Sequence, residues 1–344
     1  MKTCYKFNDY ISSFELLLLQ VNPINISDEI YCRKYLNHLL QHKRYYLNIY
    51  ASVFDNLLSN TNLKKEEITL IDFGAGNGLL GLFAKYCGFR KVIINDVEKS
   101  FIEAAKNLSA QLEIPIHAFI CGDIPELNSY CVNDKPDAII GTDVIEHIYN
   151  LQDFFSNIRQ INPDIVSVFT TSANPENHFK VRQLKRLQLK DEFLGGTPDD
   201  FDLFGSEAHE SFFKMRKSII INIAPALNED VVEKLTTVTR GLNKTDIIKS
   251  VKIFQSENIF PEAISHNTNT CNPLTGSWTE RILSIVEYQN IYTANNFSLI
   301  VHQGYYNEFK KGLKKILFML LNKFTSIFGI RFAPFIILVG KKCD

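Results

Sequence analysis

A short glycine-rich run between two apolar stretches constrains the fold more than any other part of the sequence. It lies between the apolar stretches 68–71 and 79–84 and reads Asp72-Phe73-Gly74-Ala75-Gly76-Asn77-Gly78. A strand that passes into a helix through glycines presents bare backbone N–H groups and a helix N-terminus at one place. Glycine tolerates positive φ there and leaves room for a ligand to touch the backbone. The run therefore predicts a nucleotide site.

The spacing of the glycines separates two classes of nucleotide site. A dinucleotide fingerprint has the order Gly-x-Gly-x-x-Gly, with the pyrophosphate on the helix N-terminus. Gly74 and Gly76 fit this order, but the third glycine, Gly78, comes one residue early. Asp72 adds a carboxylate that would repel a pyrophosphate and suits a ligand with an amino group and a sulfonium. A nicotinamide-dependent oxidoreductase and a cofactor-binding scaffold without catalysis are the alternatives.

Further acidic residues stand at the ends of other apolar runs along the chain. A second predicted strand, 91–96, ends in Asp96, twenty residues after Gly76 (96 − 76). An acid at the carboxyl end of a strand can accept hydrogen bonds from both ribose hydroxyls. A third and a fourth predicted strand are closed by Asp123 and Asp143. Four acids in sequence, each closing a strand, indicate a single ligand site at one edge of a sheet.

The order Asp-x-Gly-x-Gly-x-Gly followed by these acids resembles the class I S-adenosylmethionine-dependent methyltransferases. The resemblance covers about residues 67–174 and the two last predicted strands. It implies S-adenosyl-L-methionine as the cofactor, ribose binding by Asp96, and adenine binding by Asp123 and Ile124. The cofactor-binding residues that we predict on this basis are Asp72, Gly74, Ala75, Gly76, Asn77, Gly78, Asp96, Val97, Asp123, Ile124 and Thr142.

The residues after the fourth predicted strand give information about the molecule that receives the methyl group. The string Asp-Val-Ile-Glu-His that ends at His147 resembles the ubiquinone-biosynthesis O-methyltransferases at the same place. It implies that Asp143, Glu146 and His147 are catalytic in methylating a small molecule, sugar or lipid-linked acceptor, with His147 as base or orienting group. In that group the two acids and the histidine can hold a divalent cation, for which His178 or His209 is the candidate fourth ligand. Alternatively, the Glu-His pair lines the pocket without metal, and this chain has Asp143 where the metal-binding examples have Glu.

The alternation of predicted strands and helices sets the fold class. Residues 67–174 alternate strand and helix five times, which predicts an α/β fold with a parallel sheet. Residues 1–66 predict an N-terminal helical cap, and 175–291 a mostly helical substrate-binding insertion between strands five and six. Residues 292–344 complete the methyltransferase domain with two strands. The resemblance implies a Rossmann-like, seven-stranded sheet with a final pair antiparallel to the rest.

Composition limits the class of partner and the compartment. The 344 residues are 45% hydrophobic, enough for a sizeable core, and the net charge of −1 argues against general nucleic-acid binding. The seven cysteines form no Cys-x-x-Cys pair, which fits a reducing compartment. We see neither a signal peptide nor a stretch of about 20 apolar residues. We therefore expect a cytoplasmic protein.

The C-terminal segment differs in charge from the rest of the chain. Residues 309–344 hold eight Lys or Arg and one acid, which leaves 29 basic and 37 acidic residues in 1–308 (37 − 8 and 38 − 1). Within 309–328, apolar residues recur at helical spacing while four lysines crowd the other face. This pattern predicts a basic amphipathic helix in peripheral contact with a membrane. The alternative is packing on the insertion or on a second subunit; the sequence predicts no oligomeric state.

Overall fold

The computed structural model describes residues 7–132, 134–196, 210–264 and 268–343. The chain divides into two compact units. The first unit consists of Met1–Ile145, Leu151–Thr171 and Ile285–Asp344. The second unit consists of Glu146–Asn150 and Ser172–Ser284.

The first unit is built on a seven-stranded sheet. Its strands are β1 (Thr69–Phe73), β2 (Lys91–Asp96), β3 (Ala118–Cys121), β4 (Ala138–Thr142), β5 (Val166–Thr171), β6 (Phe297–Gln303) and β7 (Ile336–Lys342). Their order across the sheet is β3-β2-β1-β4-β5-β7-β6. All five residues of β1 are buried, as expected for a central strand that is covered on both faces. The predicted seven-stranded α/β fold is confirmed.

The direction of the last two strands differs from the prediction in one respect. Strands β1 to β5 pair in parallel, whereas β7 pairs antiparallel with both β5 and β6. Because β7 enters the sheet between β5 and β6, it is the strand that runs against the others. The expectation that both late strands oppose the rest is therefore wrong for β6.

The helices follow the predicted order. They are α1 (Asn8–Leu17), α2 (Ile30–Gln41), α3 (Lys43–Ser59), α4 (Leu79–Tyr86), α5 (Lys99–Gln111), α6 (Ile124–Cys131), α7 (Leu151–Ile161), α8 (His178–Phe193), α9 (Phe212–Ile223), α10 (Glu229–Val238), α11 (Lys244–Glu257), α12 (Ile285–Ala294) and α13 (Leu313–Phe328). Within the predicted N-terminal helical cap, α2 and α3 are separate helices, because His42 between them leaves helical geometry at φ −118° and ψ 22°. None of the helices in the described parts of the chain is long and apolar enough to cross a membrane.

The N-terminal helices share a core with the sheet of the first unit. Phe14 of α1 and Phe54 of α3 both pack on Phe83 of α4, with ring centroids 5.1 Å and 5.6 Å apart. These rings are fully buried. The helices before β1 therefore belong to the layer that covers the start of α4, directly after the glycine-rich turn.

The second unit is mostly helical, with α8 to α11 as its main elements. Apolar side chains of α9, α10 and α11 form its core, among them Ile220, Leu235 and Val251. A buried ion pair between Arg216 and Glu192 joins α9 to α8. The residues between α11 and α12 include an isolated β-bridge from Cys271 to Trp278. Helix α12 follows from Ile285.

Candidate active site

The turn between β1 and α4 requires glycine at its centre. Gly74 and Gly76 have φ values of +61° and +54°, in the left-handed region that side chains disfavour. A Cβ atom at Gly76 would lie 2.9 Å from Cε1 of Tyr35, and one at Gly74 would collide with Val144. A side chain at either position would therefore have to displace Val144 or Tyr35. Helix α4 begins at Leu79, three residues after Gly76, with Gly78 as its N-cap.

Asp96 ties the end of β2 to this turn. Its Oδ2 accepts from the Gly76 N–H at 2.8 Å, and its Oδ1 accepts from the Glu98 N–H at 2.9 Å. Burial raises the pKa of Asp96, while the N–H donors act in the opposite direction. Each carboxylate oxygen has a second lone pair, so both can still accept a hydrogen bond from a ligand hydroxyl. The predicted ribose partner is thus placed against the backbone of the turn.

The end of β3 lies beside Asp96, because Gly122 N–H donates to the Asp96 carbonyl at 3.0 Å. Asp123 is the N-cap of α6, where its Oδ1 accepts from the Ile124 N–H at 2.8 Å. Ile124 is buried, whereas the Val97 side chain is 58% exposed. Ile124, predicted at the adenine ring, therefore offers little open surface, whereas Val97, predicted as a further cofactor-binding residue, offers more.

Asp72 has a contact that the sequence did not predict. It is buried at the end of β1, and its Oδ2 accepts from the Gly81 N–H at 2.7 Å. Burial raises its pKa to about 8, although the Gly81 donor lowers it. Asp72 therefore links β1 to α4 as a largely protonated acid at neutral pH. Direct contact between Asp72 and a ligand stays a prediction.

Helix α2 covers the glycine-rich turn, through contacts of Cys32 and Tyr35 that sequence reasoning did not identify. The Asn77 side chain is buried and its Nδ2 donates to the Cys32 carbonyl at 3.0 Å. Tyr35 lies against Gly76 and packs on Phe101 of α5, with ring centroids 5.7 Å apart. The spacing of Tyr31 and Tyr35, one helical turn apart, was the available signal.

An aromatic wall lies near the end of β4. Thr142 is the last residue of this strand, and Asp143 follows with a φ of +52° and an N–H that donates to the Thr170 carbonyl at 3.1 Å. Burial raises the pKa values of several tyrosines, and the negative charge of Asp143 adds to the effect. These are Tyr35, Tyr45, Tyr46 and Tyr50. Aromatic faces attract cations such as a sulfonium.

The second unit orients His147 through its own residues. A carbonyl only accepts, so the 2.8 Å contact between His147 Nδ1 and the Trp278 carbonyl places the proton on Nδ1. The lone pair is then on Nε2, which lies 4.0 Å from Oε1 of the buried Glu280. Glu280 Oε2 accepts from the Ser172 hydroxyl at 2.9 Å. The His147 side chain remains 28% exposed.

Sequence reasoning did not find Trp278 or Glu280. Both lie in the insertion, far along the chain from His147, and no motif marks them. A positive φ of +45° at Glu280 shows that the backbone holds it in a strained conformation. Glu146 is buried, and its Oε1 accepts from the Ser172 N–H at 3.1 Å.

The comparison with protein families distinguishes a methyltransferase from a nicotinamide-dependent oxidoreductase. Residues 64–295, more than half of the chain, match the family described as a methyltransferase domain. The chain belongs to the methyltransferase domain family. This match gives no support to the nicotinamide-dependent alternative.

Curated relatives of this methyltransferase match part of its length. A ubiquinone biosynthesis O-methyltransferase of Rickettsia prowazekii (strain Madrid E) is 28% identical over 185 residues, covering 50% of this chain and 69% of the relative. The protein of the same name in Rickettsia akari (strain Hartford) is 28% identical over 121 residues, covering 35% of this chain and 46% of the relative. The chain thus spans about half the length of the latter. A SAM-dependent methyltransferase structure from Archaeoglobus fulgidus covers 90% of this chain and 99% of its own, with a TM-score of 0.42 at 10% identity.

The cofactor of this methyltransferase is S-adenosylmethionine, and the residues of the first unit fit it. Asp96 supplies two acceptors for a ribose beside the glycine-rich turn, and Val97 offers an exposed apolar surface. Buried Asn77 Oδ1 has no hydrogen-bond partner among the described residues. These are the features that a nucleoside with a charged amino-acid tail requires.

The predicted metal set is not supported. Across the described ranges, no group of three or more His, Cys, Asp or Glu side chains is arranged to hold a metal ion. Asp143 belongs to the first unit, whereas Glu146 and His147 belong to the second. Hydrogen bonds to Ser172 and Trp278 occupy Glu146 Oε1 and His147 Nδ1. His178 is exposed at the start of α8, and His209 lies outside the described residues.

The raised pKa of Asp72 predicts how stability depends on pH. Between about pH 4 and pH 8 the folded methyltransferase keeps a proton on Asp72 that the unfolded chain releases. The free energy of unfolding should therefore fall with rising pH, by about 1.4 kcal/mol per unit from this group. Asp72→Asn keeps an acceptor for Gly81 and should remove this slope. Urea denaturation followed by far-ultraviolet circular dichroism from pH 5 to 8 measures it, with exposed Asp28→Asn as control. Parallel profiles for Asp72→Asn and the unmodified protein would contradict the assignment.

Proposed function

We propose that this protein is an O-methyltransferase that methylates a hydroxyl of a small-molecule, sugar or lipid-linked acceptor. The observation that carries the proposal is the partly exposed His147 side chain, whose Nδ1 is hydrogen-bonded to the Trp278 carbonyl, so that the lone pair is on Nε2. A hydroxyl needs a base, because it is a weak nucleophile until its proton is removed. The names of the relatives, O-methyltransferases at modest identity, agree with an oxygen acceptor.

Different residues of the chain bind the cofactor and accept the proton of the acceptor. When bound, S-adenosylmethionine supplies an electrophilic methyl carbon on a sulfonium. Asp96 and the backbone at Gly76 hold the nucleoside. His147 Nε2 would accept the proton of the acceptor hydroxyl as the methyl group passes from sulfur to its oxygen, with S-adenosylhomocysteine as the leaving product, and would then release the proton to solvent. The Glu280 carboxylate, 4.0 Å from Nε2, stabilises the imidazolium that forms.

The proposal is tested first by the product. The full chain is incubated with methyl-labelled S-adenosylmethionine and a cell extract, and the labelled product is identified. We expect a methyl ether, in which the label is on the oxygen of the former hydroxyl. A product methylated on nitrogen or carbon would contradict the proposal. A cofactor-binding scaffold would bind S-adenosylhomocysteine and yield no labelled product.

Variants of the second unit then test the base. His147→Ala should lower kcat by about 10²- to 10⁴-fold, the usual contribution of a general base. Glu280→Gln should lower kcat by about 10-fold because the imidazolium loses a counter-charge. The affinity for S-adenosylhomocysteine, measured by calorimetry, should stay unchanged in both. His178→Ala and Glu229→Gln, exposed residues of the same unit, are the controls. If His147→Ala retains full turnover, another group removes the proton.

A further inference from the structure

We propose that α13 docks the protein on an anionic lipid surface, with the helix axis in the plane of the membrane interface. The helix connects β6 to β7 and contains none of the residues assigned to the cofactor or to proton transfer. The proposal therefore stands on observations that are independent of methyl transfer.

The polar side chains of α13 hold the helix on its own unit. Thr325 is its buried residue, and its Oγ1 donates to the Phe332 carbonyl at 3.3 Å. Asn322 Nδ2 donates to the Tyr306 carbonyl at 3.1 Å, and Asn322 Oδ1 accepts from the Tyr306 N–H at 2.7 Å. A surface helix normally buries its apolar side and exposes its polar side. In α13, by contrast, most of the apolar side chains are exposed.

The apolar side of α13 faces solvent. Six side chains spaced by three and four residues fall within about 100° around the helix axis. They are Leu313, Ile316, Leu317, Leu320, Phe324 and Ile327, and we call them the apolar stripe. Their exposed fractions range from 48% to 84%. A contiguous exposed apolar surface of this kind marks a contact with an apolar partner.

The charge around the apolar stripe indicates which kind of partner binds there. Six basic residues flank it on and beside the helix: Lys310, Lys311, Lys314, Lys315, Lys323 and Arg331. Residues 309–343 contain no Asp or Glu. A second copy docked stripe to stripe would bring these cations against their equivalents. Anionic headgroups would neutralise them while the acyl region receives the stripe.

The length of α13 agrees with an interfacial position. Its sixteen residues extend about 24 Å, less than the hydrocarbon thickness of a bilayer, which is about 30 Å. A helix of this length with lysines along its flanks can lie in the interface with its apolar side inserted. The anionic lipid surface is therefore the occupant that fits both the charge and the length.

Co-sedimentation of the full chain with vesicles tests the proposal. We expect binding at least about tenfold stronger to vesicles of phosphatidylcholine with phosphatidylglycerol than to phosphatidylcholine alone. The variant Ile316→Ser/Leu320→Ser/Phe324→Ser should lose this binding. The matched control is Leu16→Ser/Leu19→Ser/Ile24→Ser, which replaces three side chains that are 66% to 69% exposed elsewhere in the same unit.

The charge component is tested with Lys314→Glu/Lys315→Glu, which should remove the preference for phosphatidylglycerol. Lys64→Glu/Lys106→Glu, at exposed lysines elsewhere, should keep it. Unchanged circular dichroism and thermal unfolding would show that each variant is folded. Equal sedimentation of the unmodified protein and the triple stripe variant would overturn the proposal. So would a dimer in analytical ultracentrifugation that requires the stripe, without vesicle binding.

Discussion

Replacing Asp96 with alanine should weaken the binding of S-adenosylhomocysteine about 100-fold, a loss of about 2.7 kcal/mol. The carboxylate offers a ribose two charged acceptors, and hydrogen bonds to charged groups are the stronger class. The change also removes the acceptor of the Gly76 N–H, which donates to Asp96 Oδ2 at 2.8 Å. It should therefore loosen the turn between β1 and α4. Isothermal titration calorimetry measures the dissociation constant directly.

The control for this prediction separates ligand binding from stability. Asp28→Ala removes an exposed acid of the same unit and should leave the dissociation constant unchanged. Asp96→Asn keeps one neutral acceptor oxygen and should fall between alanine and the unmodified protein. If Asp96→Ala binds S-adenosylhomocysteine as tightly as the unmodified protein, the ribose is held elsewhere.

Replacing Arg216 with methionine should destabilise the second unit by about 3–5 kcal/mol. The Arg216 guanidinium is fully buried and donates to both oxygens of Glu192, at 2.5 Å and 3.1 Å. Without it, Glu192 is a buried carboxylate whose remaining partners include the Thr270 hydroxyl at 2.7 Å and Arg240 at 3.9 Å. A buried charge that loses its main partner is far costlier than a lost surface pair.

Tryptophan fluorescence reports the unfolding of the second unit, because Trp278 is the single tryptophan of the chain. Urea titration of Arg216→Met should show an earlier midpoint, and Arg216→Met/Glu192→Leu should recover most of the loss because both charges are gone. The neighbouring Lys217→Ala, which breaks exposed ion pairs with Glu229 and Glu233, should leave the midpoint unchanged. A midpoint for Arg216→Met equal to that of Lys217→Ala would contradict this account.

The sheet and its cofactor edge were predictable because their signals are local. Each strand is a short apolar run, and Gly76 and Asp96 mark where two of them end. Parallel strands that follow one another with helical crossovers bring their carboxyl ends to one edge, so neighbours in the motif become neighbours in space. The hydrogen bond between Gly76 and Asp96 is the expected result.

The partners of His147 were not predictable, because they depend on long-range contacts. Trp278 and Glu280 lie more than 130 residues after His147 in the sequence. No local sequence pattern indicates that they contact it. Asp72 shows the same limit at short range. Its motif predicts an acid, but burial and the Gly81 donor decide where the carboxyl points and which protonation state it has.

The most direct test of the central claim is calorimetric titration of the full chain with S-adenosylhomocysteine and, separately, with NAD. The account predicts one binding site for S-adenosylhomocysteine whose affinity falls about 100-fold in Asp96→Ala, and no measurable binding of NAD. Binding of NAD without binding of S-adenosylhomocysteine would contradict it.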